Sequence, residues 1–408
     1  MRFTYVCNDC QSRYESKDIF YQCPSCAAKN DGSHFPLGNV IVRLDEKYLS
    51  RLKRKKDLSV ADFLPYAIPH PASYPVGNTP IVGPTALRKS LGFSRLSCKL
   101  EGGQPSGSFK DRASQLIAAQ AFHHKEKRIA LASTGNAGAA MSCAGAAYGL
   151  EIILFVPESA PANKLMQSVL YGATVVPVQG SYDDAFALSI AYTEAFGGIN
   201  RNTAYNPMTV EGKKSVAIEL FLQRGGSVPE VVYVPTGDGC ILAGVYKGFA
   251  DLKDAGLIPR IPHLVSAQST ASNAISRAWQ SGNFAALPAV STLADSISVQ
   301  NPANGRMAVR ALDDSNGWAT EVTDAAILAA QLELASEAGL FVEPAAATAW
   351  AALKADQRML YERLGKEVDV CVLLTGSGFK DMGVFTGKIA IPEAIENSIE
   401  AVQRRFGG

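Results

Sequence analysis

The chain lacks a charge excess. Over 408 residues, 39 lysines and arginines face 38 aspartates and glutamates, for a formal net charge of +1. A nucleic-acid binder needs basic surface to meet phosphates, so no nucleic-acid partner is expected. Long apolar runs are also missing: no stretch approaches the roughly 18 residues that cross a bilayer, and Met1-Arg2-Phe3 opens no signal-peptide apolar region. No membrane partner is expected, and the expected location is cytoplasmic. Internal repeats and low-complexity tracts are absent. Histidine is scarce and scattered (His34, His70, His123, His124, His263), which leaves a Ser/His/Asp or His-metal mechanism without support.

What is present is an ordinary globular composition, 47% hydrophobic and 19% charged. At about 150 residues per domain, the length suggests two or three compact units. The single basic run, Arg51 to Lys56, reads as a solvated helix face. Eight cysteines without a secretory signal point to metal or buried thiols rather than disulfides. Four of them, Cys7, Cys10, Cys23 and Cys26, form Cys-x2-Cys-x12-Cys-x2-Cys within the first 26 residues. That spacing is close to a zinc ribbon, in which four thiolates close a structural tetrahedral site. Reduced, metal-free thiols are the alternative. About 30 residues bury too little core to fold alone, so zinc would hold this lobe together.

From Lys99 onward, short apolar strands alternate with longer amphipathic helices, the pattern of βα units on parallel sheets. Strands are expected at Arg128 to Ser133, Ile152 to Pro157, Thr174 to Val178, Val231 to Val234, Leu264 to Ala267 and Val368 to Leu374. A helical, basic stretch is expected at Asp45 to Asp57, before a proline-rich run from Pro65 to Pro75. Ligands of such sheets bind where strand carboxyl ends meet.

Five short stretches carry candidate chemistry. Gln104-Pro105-Ser106-Gly107-Ser108-Phe109-Lys110-Asp111-Arg112 delivers one lysine to the start of a helix. The helix dipole there disfavours a cation, which lowers the lysine pKa and suits an amine that forms a Schiff base. Ser133-Thr134-Gly135-Asn136-Ala137-Gly138 follows a strand and exposes backbone N–H groups and one amide. Pro235-Thr236-Gly237-Asp238-Gly239-Cys240-Ile241 also leads into a helix and is a candidate phosphate cradle. Taken alone, each is also met as a surface lysine or a tight βα turn. Thr375-Gly376-Ser377-Gly378 continues the last strand and puts a hydroxyl at its tip, while Glu343-Pro344 begins a helix. Thr375 otherwise reads as a turn or cap residue, and Glu343 as a first-turn dipole partner.

In that order, from Gly77 to Asp381, these motifs resemble the fold-type II pyridoxal phosphate enzymes, and among them the threonine synthases. The resemblance implies an α/β fold of two parallel-sheet βα domains with a small N-terminal zinc-ribbon-like lobe. Its units would be a lobe at 1–34, a large domain at 35–100 and 215–392, a small domain at 101–214, and a C-terminal helix or tail at 393–408. It implies pyridoxal 5'-phosphate as cofactor and Lys110 as the catalytic Schiff-base lysine. Asn136 would bond the ring hydroxyl, Gly237, Asp238, Gly239, Cys240 and Ile241 the cofactor phosphate, and Thr375 the pyridine nitrogen. A neutral hydroxyl there favours elimination and replacement chemistry. Ser108, Ser133 and Thr134 would hold the α-carboxylate of a small amino-acid substrate, and a homodimer is implied.

Two departures stand out. Threonine synthases usually carry Asn-Pro-x-Arg-x-Glu-Gly-Gln-Lys, whose arginine holds the substrate phosphate; Asn206 to Lys214 has Thr209 in that place. Where Ala-Ile-Arg-Ile-Gly-x-Pro is usual, Ser296 to Pro302 lacks the arginine. Lys213 and Arg306 are the candidates to compensate. The expected activity is conversion of O-phosphohomoserine and water to threonine and phosphate. The alternatives are β-elimination or β-replacement on a serine-, threonine-, phosphoserine- or diaminopropionate-like substrate, including cysteate-synthase-like chemistry, and a non-catalytic homologue.

Overall fold

The computed structural model describes residues 3–17, 20–288, 290–390 and 392–407. Among these, three sheets organise the chain. The first, ordered β2-β1-β3, joins β1 (Phe3–Cys7), β2 (Arg13–Glu15) and β3 (Val40–Leu44) with antiparallel pairing. The cysteine lobe thus draws its third strand from beyond residue 34. The second cysteine pair sits on a single helical turn, Pro24–Ala27, with Cys23 as its cap and Cys26 within it, because Pro24 suits a first helical position.

The largest sheet has the order β12-β11-β10-β13-β5-β4: Trp318–Val322, His263–Ser269, Val231–Pro235, Val370–Leu374, Leu96–Leu100 and Ile81–Val82. All its pairings are parallel except β4 on β5. Its central strands, Val-Val-Tyr-Val-Pro in β10 and Val-Cys-Val-Leu-Leu in β13, are buried throughout. Continuous apolar runs of this kind mark parallel strands covered by helices on both faces.

The third sheet, β8-β7-β6-β9, is wholly parallel: Thr174–Val178, Glu151–Pro157, Arg128–Ala132 and Ile199–Asn200. The expected strands therefore appear, within a residue or two of their expected ends. The basic stretch after Asp45 forms a shorter helix than expected, Glu46–Leu52, beyond which Lys53 to Lys56 are exposed. No helix among the described residues is long and apolar enough to cross a membrane.

The lobe is docked onto the rest. Tyr21 stacks on Tyr205 with ring centroids 4.7 Å apart, and its hydroxyl accepts the Asn200 N–H at 2.9 Å. Phe35 is buried against Phe284. At the chain's end, Ile399–Phe406 is a short exposed helix.

Candidate active site

The functional stretches converge because each follows the carboxyl end of a strand. Leu100 of β5 leads through a short turn to Lys110, Ala132 of β6 to Ser133, Pro235 of β10 to the glycine loop, and Leu374 of β13 to Thr375. They close around a narrow cleft lined by Ser108, Lys110, Asn136, Ile241, Glu343 and Thr375, with Phe109, Pro235, Ser296, Ile297 and Ala345 completing the wall.

Lys110 is the first residue of the helix Lys110–His124. The loop before it is stitched to the tip of β13: the Phe109 N–H donates to the Thr375 carbonyl at 2.8 Å and the Ser377 N–H to the Gly107 carbonyl at 3.0 Å. The next two residues anchor the helix start. Asp111 accepts from the Ser106 N–H and hydroxyl, each at 2.9 Å, and from the Tyr74 hydroxyl; burial pushes its carboxyl up to about 6. Arg112 is buried and bridges two acids, Nε donating to Glu101 at 2.7 Å and Nη1 to Glu219 at 3.0 Å. Burial lowers the pKa of Lys110 itself, and the nearby positive charge of Lys213 lowers it further. Its amine is therefore more readily neutral than an ordinary lysine's.

Asn136 begins the helix Asn136–Tyr148 and lines the cleft. Its amide donates to the Glu343 carboxylate at 2.9 Å. Glu343 is buried, and that burial raises its pKa. In sequence Glu343 reads only as the start of a helix; the Glu343 N–H bond to the Gly376 carbonyl, 3.0 Å, brings the carboxyl into the cleft. Ser133 accepts the Gly138 N–H at 3.0 Å and the Gly135 N–H at 3.3 Å, so it holds the turn that presents Thr134 and Asn136. The Ser108 hydroxyl is buried with no partner among the described residues.

In the glycine loop, Gly239 has φ +85°, and a Cβ there would lie 2.8 Å from the Asn304 carbonyl oxygen. A Cβ on Gly237 would lie 2.7 Å from the Ile297 Cα. Only glycine fits at either place, which leaves the backbone of the loop bare at the start of the helix Cys240–Asp254. One of its N–H groups is spoken for, since Cys240 donates to the Asp238 carboxylate at 2.8 Å. With the bare loop, the lowered lysine and the unpartnered Ser108, these residues fit pyridoxal phosphate.

The remaining candidates do not line the cleft wall. The Thr209 hydroxyl is buried and donates to the Asn206 carbonyl at 2.7 Å, away from the cleft wall. Lys213 is buried one helical turn further on. The structure does not bring Arg306 to the cleft: its Nε donates to the Phe35 carbonyl at 3.2 Å and its guanidinium lies 4.4 Å above the Phe284 ring. Ser296 and Ile297 do reach the wall, from the stretch that lacks the usual arginine. Sequence reasoning missed Arg201, buried just past the end of β9. An arginine directly after a strand in a parallel sheet was its only signal.

The family described as pyridoxal-phosphate dependent enzyme matches residues 72–385. The chain belongs to that family. It is 31% identical to the threonine synthase of Methanosarcina acetivorans over 413 residues, covering 98% of each chain. It is 34% identical to that of Halalkalibacterium halodurans over 78% of this chain and 87% of the relative. Among solved structures, threonine deaminase isoform 2 of Solanum lycopersicum covers 91% of this chain at TM-score 0.66 and 19% identity; 96% of that chain is covered. Maize serine racemase covers 76% of this chain at 0.64 and 21%, with 93% of its own length covered. These two likenesses establish the fold. This pyridoxal-phosphate dependent enzyme is of fold type II, a lyase with a threonine synthase-like function.

Among the described residues, one thiol cluster stands apart from the cleft. Sγ atoms of Cys7, Cys10, Cys23 and Cys26 all lie within 4.8 Å of one another. Cys7 and Cys26 are 3.8 Å apart and Cys10 and Cys23 3.7 Å.

Proposed function

We propose that the enzyme converts O-phosphohomoserine and water to threonine and phosphate. The observation that carries this reading is the placement of Lys110, a lysine of lowered pKa at a helix start, on the wall of a cleft closed by the bare glycine loop. Pyridoxal phosphate, when bound, supplies the electron sink for charge that develops at the substrate Cα and Cβ. Gly237, Asp238, Gly239, Cys240 and Ile241 would hold its phosphate, Thr375 its ring nitrogen, and the Asn136 amide its ring hydroxyl. Ser108, Ser133 and Thr134, with the N–H groups opening the Asn136 helix, orient the α-carboxylate. Lys110 takes the Cα proton and moves protons at Cβ and Cγ. Cα and Cβ each lose a proton, the Cγ–O bond breaks to release phosphate, Cγ gains a proton, water adds its oxygen at Cβ and gives up a proton, and Cα regains a proton to complete threonine.

Purified enzyme with saturating cofactor should release phosphate and threonine in equal amounts from phosphohomoserine. Lys110→Ala should abolish both, together with the visible absorbance of bound cofactor; no release by the wild type overturns the reading. Thr209, whose hydroxyl is spent on Asn206, favours a second reading, β-elimination or β-replacement on another amino acid. Formation of a 2-oxo acid in place of threonine would select it.

The four thiols form a structural zinc site, supported by their closed clustering and by a lobe too small to hold its own core. The split large domain and the small domain serve as the two units around the cleft, and the lobe as a third unit docked beside them. A cytoplasmic homodimer is the assembly in keeping with the family resemblance, and the apolar Met166, Val169 and Leu170 exposed on the helix Ala162–Leu170 offer a surface for it.

A further inference from the structure

We infer that Arg201 and Lys213 form a buried binding pair for a phosphate monoester dianion beside the glycine loop, an inference that rests in part on the proposed substrate. Both side chains are almost completely buried, Arg201 at 1% and Lys213 at 0% exposure. The Nε and Nη2 of Arg201 and the Nζ of Lys213 have no hydrogen-bond partner among the described residues. Nη1 of Arg201 alone is satisfied, by the Thr203 hydroxyl at 2.6 Å. Two uncompensated buried cations are expensive unless an anion completes them.

Both converge on one place. Arg201 follows β9 and is held at the strand's carboxyl end by its N–H bond to the Ala130 carbonyl, 2.8 Å. Its Nη1 bond to the Thr203 hydroxyl ties it to a segment whose next residue, Ala204, donates its N–H to the Thr209 hydroxyl at 3.3 Å, and that hydroxyl lies beside Cys240 of the loop. Lys213 comes from the other side. Its backbone packs so closely on the loop helix that a Cβ at Gly244 would lie 2.6 Å from the Lys213 Cβ. Thr209, one turn earlier on the same face, has its hydroxyl 3.7 Å from the Cys240 Sγ. After burial, the charge of Lys213 is the largest influence that lowers the Lys110 pKa, so the two lysines share one neighbourhood.

The neighbouring acid does not serve as counter-ion. Asp238 spends one oxygen on the Cys240 N–H, and among the described residues it forms no ion pair with either cation. Two fixed positive charges at the start of a helix match a group carrying close to two negative charges; a carboxylate would leave one cation unpaired. The dianion belongs to the cofactor or to the substrate, and the test separates them.

The variants are Arg201→Leu, Lys213→Gln and, as a conservative check, Arg201→Lys. In cofactor-free protein, inorganic phosphate should raise the melting temperature of the wild type more than that of Arg201→Leu or Lys213→Gln. Both variants should melt higher than the wild type in chloride, since each removes an uncompensated buried charge. Arg201→Lys should keep most of the phosphate response. Two affinity ratios then identify the source: pyridoxal against pyridoxal phosphate for cofactor-free protein, and homoserine against phosphohomoserine for the holoenzyme. A fall of about tenfold or more in the first assigns the cofactor phosphate, and in the second the substrate phosphate. Variants that keep both ratios within about twofold and an unchanged phosphate response overturn the inference. Failure of phosphohomoserine turnover by the wild type would remove the proposed substrate while leaving the melting and cofactor measurements as valid tests.

Discussion

Ser133 shows how one side chain serves a site without facing it. Its oxygen accepts two N–H groups at the start of the Asn136 helix, so it sets the turn whose backbone and amide face the cleft. Ser133→Ala leaves those donors unpaired and should cost about 1 kcal/mol of stability, as loss of a buried hydrogen bond does. Thermal denaturation measures that cost. KM for the amino-acid substrate should rise more than kcat falls, and an unchanged melting temperature would contradict the supporting role. The family resemblance made Ser133 a ligand contact; its geometry makes it first a support.

At the scale of elements, the Lys110 helix depends on an ion network that its motif does not advertise. Arg112 lies between Glu101 and Glu219, and Lys99 reaches Glu219 and the Thr79 carbonyl from β5. Burial alone would raise the Glu219 pKa, but Arg112 and Lys99 outweigh it and hold the carboxyl at about 2, against an ordinary 4.5. A carboxyl depressed in the folded state stabilises above its unfolded pKa and loses that contribution as pH falls toward the folded value. Glu219→Gln strands Arg112 and Lys99 and should cost about 3–5 kcal/mol at neutral pH. In urea denaturation the gap between wild type and variant should be constant above pH 4.5 and shrink from there toward pH 2. A gap that widens on acidification would refute the assignment. The network joins residues more than a hundred positions apart, so local sequence does not reveal it.

At the scale of the molecule, the cysteine lobe is tied to both parallel-sheet regions, by Tyr21 on Tyr205 and by Phe35 on Phe284. The purified chain should carry zinc, and strong chelation should release it. Hydrogen exchange should then rise over β1, β2 and β3 while β10 and β13 stay protected, because those strands have their own buried core. Exchange that is unaltered by loss of the metal would separate the lobe's folding from zinc. The third strand of the lobe's sheet was not legible in the cysteine spacing, since β3 joins by strand pairing and pairing leaves no local signature.

The sequence by itself determined the alternation of strands and helices, the order of the lysine, asparagine, glycine-loop and threonine motifs, and the closed spacing of four cysteines. These are short-range properties, written in periodicity, turn chemistry and residue spacing. Only the tertiary structure decided which polar groups are left without partners. It turned Glu343 into the cleft, took Arg306 away to Phe284, and buried Arg201 and Lys213 with polar atoms unpartnered among the described residues. Whether a charge is satisfied depends on atoms contributed by distant elements, and burial sets how much an unsatisfied one matters. The near-zero net charge of the chain is silent on both.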